Sequence, residues 1–277
     1  MPQSSSKTLQ DILNDRFGDM PATNTNHDTL HAMAARGSCR VFTDQPVAPE
    51  LLKTLCAVAL SSPTKSDLQQ RDIVVLQSPE KRAKLARLTK DQAWIADAPM
   101  ILIFCGNNRR QRLLHDWHTI PFANDHLDAL INATADAAIA LGAFVTAAEA
   151  VGLGTCPISA VRNKAQAVSD MLNLPDHVFP FAGLALGHPA HPPELSMRLP
   201  LGVTCHVDAY AEDALQSTVA AYDTARRARQ PYANQRFPQT FGESPNYGWS
   251  EDKARQYSHP ERADFGQFIR AKGFCLD

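Results

Sequence analysis

Apolar residues follow strand and helix periods in turn along the middle of the chain. Runs of aliphatic and β-branched residues predict strands at residues 72–77, 99–105, 155–158 and 178–186. Amphipathic or Ala-rich stretches predict helices at residues 29–36, 50–60, 79–89, 125–151 and 163–173. The run PMILIFC at 99–105 has no polar position, which is typical of a strand buried on both faces. Strands and helices alternate, so the fold class is α/β or α+β.

Polar sequence marks both ends of the chain. Residues 1–27 are rich in Ser, Asn and Asp and predict an extension outside the core, with a short helix at 8–16. Asp28 and Thr29 predict the cap of the next helix, which Gly37 ends. One domain is expected over residues 28–277, with a C-terminal extension from about residue 208 that is helical in patches.

The stretch at 125–151 is the clearest helix, because it is Ala-rich and stops at Gly152-Leu153-Gly154. A helix of this length and apolarity is more often a core or subunit-interface helix than a surface one. Its uncharged apolar part, residues 137–148, is shorter than the roughly 20 residues that span a bilayer, so no membrane partner is expected.

Composition narrows the function classes. Among 277 residues, 44% are hydrophobic and 20% are charged, which is ordinary for a globular protein. A net charge of −2 produces no positive electrostatic field that would attract the phosphate backbone of a nucleic acid, so nucleic-acid binding is not expected. The six cysteines include no C-x-x-C pair, and the start MPQSSSKTLQDILND has no secretory pattern. These features predict a cytoplasmic protein with reduced thiols.

Familiar catalytic and metal motifs are missing from the sequence. It contains no G-x-G-x-x-G, G-x-x-x-x-G-K-[ST], G-x-S-x-G or H-E-x-x-H pattern. The segment from His115 to His126 holds three His and two Asp, but its spacings match no zinc pattern, and Asp-His before a helix serves as a cap. Cys39, between Arg36 and Arg40, is either a reactive thiol of lowered pKa or a small side chain packed beside a loop.

Two clusters and a distant arginine could bind an anion. Arg36, Ser38 and Arg40 place two guanidinium groups around a hydroxyl, a set that matches phosphate oxygens. A polar loop at 61–67 follows the next helix, and Arg198 lies far along the chain. Taken singly, each has an ordinary alternative, a solvated Arg pair or a plain turn.

These segments occur in a specific order. They are R-x-S-x-R-x-F-T-D-x-P at 36–46, a Ser/Thr-rich turn with Leu-Gln at 63–69, L-T-x-x-Q at 88–92, G-L-G and then P-I-x-x-x-R-N at 152–163, L-x-L-G at 184–187 and R-L-P at 198–200. Trp249-Ser250 precedes a terminal helix. As a set, they resemble the FMN-dependent nitroreductase family over residues 28–277, closest to its NADPH-preferring branch of oxygen-insensitive nitroreductases and flavin reductases.

The resemblance implies an α+β fold with a mixed sheet sandwiched by helices, and a homodimer with FMN in each of two interface sites. By matching position, Arg36, Ser38 and Arg198 would hold the FMN phosphate. Two cations of the family pattern are absent, because Gly37 offers only its backbone and Ser196 stands where a Lys is common. Their loss would weaken FMN binding by about 1 kcal/mol for each charge-assisted bond.

The resemblance also implies contacts to the flavin ring and to NADPH. Arg40 would lie near the pyrimidine edge of the ring. The ribityl chain and ring would be contacted by Pro63, Thr64, Lys65 and Ser66, and the polar edge of the ring by Gln92. A strap passing toward N5 would consist of Pro157, Ile158, Ser159 and Ala160, with the Ser159 N–H facing N5. The NADPH 2′-phosphate would be contacted by Arg162 and Arg236.

The function implied is an NAD(P)H oxidoreductase with FMN as cofactor and NADPH or NADH as co-substrate. It would run a ping-pong cycle to a small-molecule acceptor such as a nitroaromatic, a quinone or free flavin. Since the cofactor carries the hydride chemistry, no side chain is named as catalytic. The alternatives are a flavin-binding sensor or storage protein without turnover, and a specialised member acting on one metabolite.

Overall fold

The computed structural model describes residues 7–18, 20–23, 25, 27–89 and 92–277. The chain forms two compact units, each built from two separate segments. Unit 1 combines the described part of residues 1–36 with residues 194–261, and unit 2 combines the described part of 37–193 with residues 262–277. The expected extension at 1–27 and single domain at 28–277 stay predictions.

The described residues form helices and strands throughout both units. The strands are β1 (Arg71–Leu76), β2 (Met100–Asn107), β3 (Gly154–Ile158) and β4 (Val178–Gly187). The α-helices are α1 (Leu9–Phe17), α2 (Asp28–Ala35), α3 (Pro49–Leu60), α4 (Pro79–Leu88), α5 (Ala93–Asp97), α6 (Arg109–His118), α7 (Leu127–Ala150), α8 (Ala165–Leu172), α9 (Leu201–Thr204), α10 (Leu215–Arg229), α11 (Pro238–Phe241), α12 (Trp249–Gln256) and α13 (Phe265–Ala271). Two 3-10 helices cover Lys65–Asp67 and Ser159–Lys164.

The predicted strands are confirmed to within two residues at each end, and the predicted helices are confirmed with two corrections. The expected helix at 163–173 is a 3-10 helix that runs into α8. The cap of α2 is His27, whose side chain accepts from the Thr29 N–H at 3.2 Å, because α2 begins one residue earlier than predicted. The short helix expected at 8–16 is α1.

The sheet of unit 2 has the order β1-β2-β4-β3, and every neighbouring pair of its strands is antiparallel. The expectation of a mixed sheet is therefore wrong for these four strands. Parallel pairing in the described residues is limited to the isolated bridge between Ser38 and Thr155, because the segment at 38–40 adds one residue pair beside β3 and forms no fifth strand.

Two helical layers cover the sheet, as the uninterrupted apolar run of β2 predicts. Ile101 and Ile103 face a cluster with residues of α4, α5 and α8, whereas Leu102 and Phe104 face a cluster with residues of α3 and α7. All four side chains are fully buried, which confirms a strand buried on both faces. Burial of each contributes about 1.5–3 kcal/mol, so β2 is the centre of the core.

Helix α7 is a core helix of unit 2. It has 24 residues, and by length and composition alone it is apolar enough to cross a membrane, a test that a buried core helix also passes. Its side chains Ala140, Phe144 and Ala148 are fully buried in a cluster with residues of β2 and β4. Burial in this cluster accounts for the apolar face of the helix.

Unit 1 is built on helices. In α1, a capping box joins Thr8 and Asp11, and Leu9, Ile12 and Arg16 are buried at helical spacing. Between α10 and α12, the rings of Tyr222 and Trp249 meet edge to face with centroids 5.6 Å apart. Helix α1 is part of this unit.

Candidate functional site

The loop between α3 and β1 carries four predicted flavin contacts, namely Pro63, Thr64, Lys65 and Ser66. Its backbone is unusual, because Ser66, Asp67 and Gln69 have φ values of 49°, 57° and 52°. Non-glycine residues rarely adopt this left-handed region, and each such residue costs about 1–3 kcal/mol. The loop therefore needs support from the structure around it.

Two buried charged residues hold this loop. Asp136 of α7 accepts hydrogen bonds from the N–H groups of Lys65 at 3.0 Å and Gln70 at 2.8 Å. Arg71 donates to two backbone carbonyl oxygens at the start of the loop, at 2.7 and 2.9 Å. Its Nη1 also lies 3.9 Å from Asp136 Oδ2, and both side chains are almost fully buried. These groups fix the two ends of the loop and leave Lys65 and Ser66 exposed. Neither residue is predicted from the sequence, although an Asp within an Ala-rich helix is a signal.

The segment at 38–40 is held beside β3. The Cys39 N–H donates to the Thr155 carbonyl at 2.8 Å, which leaves Ser38 and Arg40 exposed. Cys39 is buried, and burial raises the pKa of its thiol despite the adjacent Arg40. A Cβ built on Gly154 would lie 2.7 Å from Cys39 Sγ. The packing interpretation of Cys39 is confirmed, and the reactive-thiol alternative is wrong.

Arg40 and Gln92, which are expected at neighbouring edges of the flavin, meet through Trp94. The Arg40 guanidinium carbon lies 5.8 Å from the centroid of the Trp94 ring. The indole Nε1–H of Trp94 donates to Gln92 Oε1 at 3.1 Å, and Gln92 Nε2 donates to a backbone carbonyl at 3.0 Å. Unit 2 therefore places one cation and one amide close together, each with a fixed side-chain partner.

The predicted strap lies at the end of β3. Pro157 and Ser159 are exposed, whereas Ile158 is buried and anchors the segment in the core. Arg262, from the C-terminal segment of unit 2, donates to Asn163 Oδ1 at 2.9 Å and lies 3.5 Å from Ser159 Oγ. Arg262 is not predicted from the sequence, because nothing in its local pattern connects it to β3.

In unit 1, Arg36 and Arg198 line one cavity of about 690 Å³. Arg198 is exposed, and its Nη1 donates to Ser196 Oγ at 2.6 Å, so the residue in place of the common Lys orients this guanidinium. Several aromatic side chains and Arg16 also line the cavity. Two guanidinium groups that line one cavity suit a phosphate dianion, so this donor set fits the phosphate of FMN.

The two arginines expected at the NADPH 2′-phosphate lie in different units and both have partners. Arg162 donates to the Phe181 carbonyl and lies with its guanidinium carbon 5.7 Å from the Phe181 ring centroid. Arg236 donates from Nε to Asp252 Oδ1 at 3.0 Å. Asp252 is almost fully buried and also accepts from the Tyr247 hydroxyl at 2.9 Å.

The histidine-rich segment before α7 is explained by local contacts. His126 caps α7 by accepting from the Asp128 N–H at 3.3 Å, as the helix-cap interpretation predicts. The rings of His115 and Phe122 pack edge to face. Within the described residues, no group of three or more His, Cys, Asp or Glu side chains is arranged to hold a metal ion.

A four-stranded antiparallel sheet between two helical layers agrees with the α+β fold expected of the nitroreductase class. Comparison with known proteins agrees. The nitroreductase family model matches residues 33–188, and the model of the family's C-terminal domain matches residues 196–277. The chain belongs to the nitroreductase family, in the branch of flavin reductases and oxygen-insensitive nitroreductases.

Individual relatives match over most of their length. The FMN reductase (NAD(P)H) of Bacillus subtilis is 34% identical over 254 residues, which are 91% of this chain and 99% of that protein. The oxygen-insensitive NADPH nitroreductase of Salmonella typhimurium is 32% identical over 70% of this chain and 79% of its own. The structure of NfrA2 from B. megaterium matches with a TM-score of 0.83 and 30% identity, covering 91% of this chain and 99% of that chain.

Proposed function

We propose that this NAD(P)H-dependent flavin oxidoreductase, with FMN as its cofactor, works by a ping-pong cycle in the cytoplasm. NADPH delivers a hydride and leaves before an acceptor binds at the same face of the flavin ring. The acceptor is a small molecule of the nitroaromatic, quinone or free-flavin class. When bound, FMN supplies the hydride and electron-transfer chemistry.

The observation that carries this proposal is the cavity of unit 1. Arg36 and Arg198 come from distant parts of the sequence and line the same cavity. Two guanidinium groups with planar donors can hold a phosphate through charge-assisted hydrogen bonds. In the proposal these two arginines bind the FMN phosphate. The family resemblance adds Ser38 and the backbone of Gly37 to the phosphate contacts.

In the same proposal, the loop between α3 and β1 contacts the ribityl chain and the ring. This anchored loop offers the exposed Lys65 and Ser66 and the neighbouring Pro63 and Thr64 to that part of the cofactor. Arg40 places a positive charge at the pyrimidine edge, where it favours the negative charge that two-electron reduction creates.

The remaining ring contacts come from Gln92 and the strap. The Gln92 side chain, which is held by Trp94, contacts the polar edge of the ring in the proposal. The strap of Pro157, Ile158, Ser159 and Ala160 directs the Ser159 N–H toward N5. In the proposal these groups orient the ring and shield one face of it from water. Hydride transfer requires no side-chain base, because the cofactor carries that chemistry.

The coenzyme contact is assigned to Arg162, with Arg236 as a second candidate. Both are arginines, which bind phosphate more specifically than lysines because of the planar guanidinium fork. Arg162 is held against Phe181, and this contact fixes the direction of its side chain. The extra phosphate of NADPH is what distinguishes it from NADH, so the proposal assigns NADPH as the preferred donor.

We include a homodimer in the proposal, because one side of α7 exposes apolar residues. Leu127, Ile131 and Ile139 are 42, 52 and 41% exposed in the single chain. Large exposed aliphatic residues that recur along one helix are typical of a subunit interface. A monomeric mass in solution, with FMN still bound, would contradict this part of the proposal.

Initial-rate kinetics test the cycle. With NADPH varied at several fixed concentrations of a quinone, and then of a nitroaromatic acceptor, a ping-pong mechanism predicts parallel double-reciprocal lines. Intersecting lines would show that both substrates bind together and would contradict the proposal. Bound flavin that stays oxidised under NADPH would favour the sensor or storage alternative.

A further inference from the structure

The N-terminal helix α1 lies outside both parts of the chain that the family models match, which are residues 33–188 and 196–277. Nevertheless, its Leu13, Arg16 and Phe17 form part of the wall of the cavity that Arg36 and Arg198 line. Arg16 is only 5% exposed, although it belongs to a segment whose sequence predicts a polar extension. A buried arginine on an added helix requires a structural explanation.

The guanidinium of Arg16 ties together the two segments that carry the predicted phosphate contacts. Its Nε donates to the Ala34 carbonyl at 2.5 Å, its Nη2 donates to the Arg36 carbonyl, and its Nη1 donates to the Ser196 carbonyl at 3.1 Å. The backbone N–H of Arg198 donates in turn to the Arg16 carbonyl at 2.6 Å. One side chain therefore fixes the backbone beside Arg36 and beside Arg198.

Arg16 also adds charge beside Ser196, which carries none itself. Arg16 reaches the carbonyl of Ser196 itself, so a permanent positive charge lies in the wall beside that position. Only an arginine offers a planar fork of five donors that can bind several carbonyls while remaining charged.

The position of Arg16 is set by independent contacts of α1. Arg229 of α10 donates to the carboxylate of Asp15 at 2.6 Å and to its backbone carbonyl at 3.2 Å. Leu9 and Ile12 are buried on the same face of the helix as Arg16. The helix is thus attached to unit 1 both through its apolar face and through the residue next to Arg16.

We propose that Arg16 is a positioning residue for the FMN phosphate, and that helix α1 thereby sets the preference of the protein for FMN over riboflavin. The inference rests on the proposed function, because it requires Arg36 and Arg198 to bind that phosphate. Riboflavin has the same ring and ribityl chain but no phosphate, so it reports on the rest of the site.

Titration of the apoprotein with each flavin, followed by flavin fluorescence, tests this inference. For Arg16→Gln we expect the Kd of FMN to rise about tenfold while the Kd of riboflavin stays within about twofold. Arg227→Gln is the matched control, because Arg227 also donates to a backbone carbonyl, that of Asn246, but does not line the cavity. It should leave both constants unchanged.

Equal weakening of FMN and riboflavin in a folded Arg16→Gln protein would overturn the inference, since it would indicate a merely structural role. If the Gln variant does not fold, Arg16→Lys is the second variant, because it keeps the charge but has one donor atom for three carbonyls. We expect a partial loss of the FMN preference there, and an unchanged preference would overturn the inference. A wild-type protein that binds neither flavin would contradict the proposed function itself.

Discussion

The buried carboxylate of Asp136 accepts a hydrogen bond of 2.8 Å from the backbone N–H of Gln70. This bond joins the core helix α7 to the last residue of the loop proposed to bind the flavin. The same carboxylate accepts from the Lys65 N–H in the middle of the loop. A core helix therefore determines the conformation of a surface loop with three left-handed residues.

The first prediction concerns Asp136. Asp136→Asn removes the charge opposite the buried Arg71 and one of the two acceptors, so the free energy of unfolding should fall by about 3 kcal/mol. Urea denaturation of the apoprotein measures this change. Asp116→Asn, at an exposed position of α6 in the same unit, should change it by less than about 0.5 kcal/mol. Equal effects of the two variants would show that the anchor does not stabilise the loop.

The second prediction concerns the contact between Gly154 and Cys39. In Gly154→Ala the new methyl group would lie 2.7 Å from Cys39 Sγ and 2.8 Å from its Cβ, so the segment at 38–40 must move. Overpacking of this kind costs about 1–3 kcal/mol, and the shift should also weaken FMN binding.

Gly202→Ala is the control for Gly154→Ala, because a Cβ at Gly202 meets no atom within 4 Å. Thermal unfolding and flavin titration of both variants provide the comparison. A wild-type unfolding temperature and a wild-type FMN affinity for Gly154→Ala would mean that the segment at 38–40 is not packed against β3 as described.

The third prediction is a pH dependence of unit 1. Burial alone would raise the pKa of Asp252, but hydrogen bonds from Lys253, Tyr247 and Arg236 outweigh it and lower the pKa below its ordinary value of 3.8. The carboxylate therefore stabilises the fold above about pH 4, and this contribution is lost as the pH falls through the lowered pKa.

Asp252→Asn should accordingly be less stable than the wild type at pH 7, and the difference should shrink as the pH falls below about 4. Denaturation midpoints measured from pH 7 down to pH 3 test this. Asp213→Asn, at an exposed position of the same unit, should follow the wild type at every pH. A difference for Asp252→Asn that stays constant over this range would contradict the prediction.

The fourth prediction concerns Arg162 and the coenzyme. If Arg162 binds the 2′-phosphate, Arg162→Ala should raise the KM for NADPH and lower the ratio of kcat/KM for NADPH over NADH by about tenfold. Arg87→Ala, at an exposed position of α4, should leave the ratio unchanged. A ratio that Arg162→Ala does not alter would make the assignment of this arginine wrong.

Hydrophobic patterning was enough to predict the core of unit 2. The run at 99–105 has no polar position because both faces of β2 are buried, and the helix of 125–151 is α7 to within two residues. Strand direction was harder to predict, because it depends on how the chain returns between strands. The expected parallel pairing is limited to the bridge between Ser38 and Thr155.

The polar contacts of the site could be predicted less well. Arg16 lies in a predicted helix, but its three acceptors are backbone carbonyls of residues distant in sequence. No side-chain pattern in the sequence predicts such acceptors. Asp136 and Arg262 likewise bind across large sequence separations. The residues expected to contact the flavin were found by resemblance, and their roles stay predictions until the flavin complex is measured.

The most direct test of the central claim is the visible absorbance spectrum of the purified protein during anaerobic titration with NADPH. We predict a flavin spectrum that bleaches after one equivalent of NADPH per bound FMN and returns when a quinone is added. A colourless protein that FMN cannot reconstitute, or a flavin that NADPH leaves oxidised, would contradict the assignment as an FMN-dependent oxidoreductase.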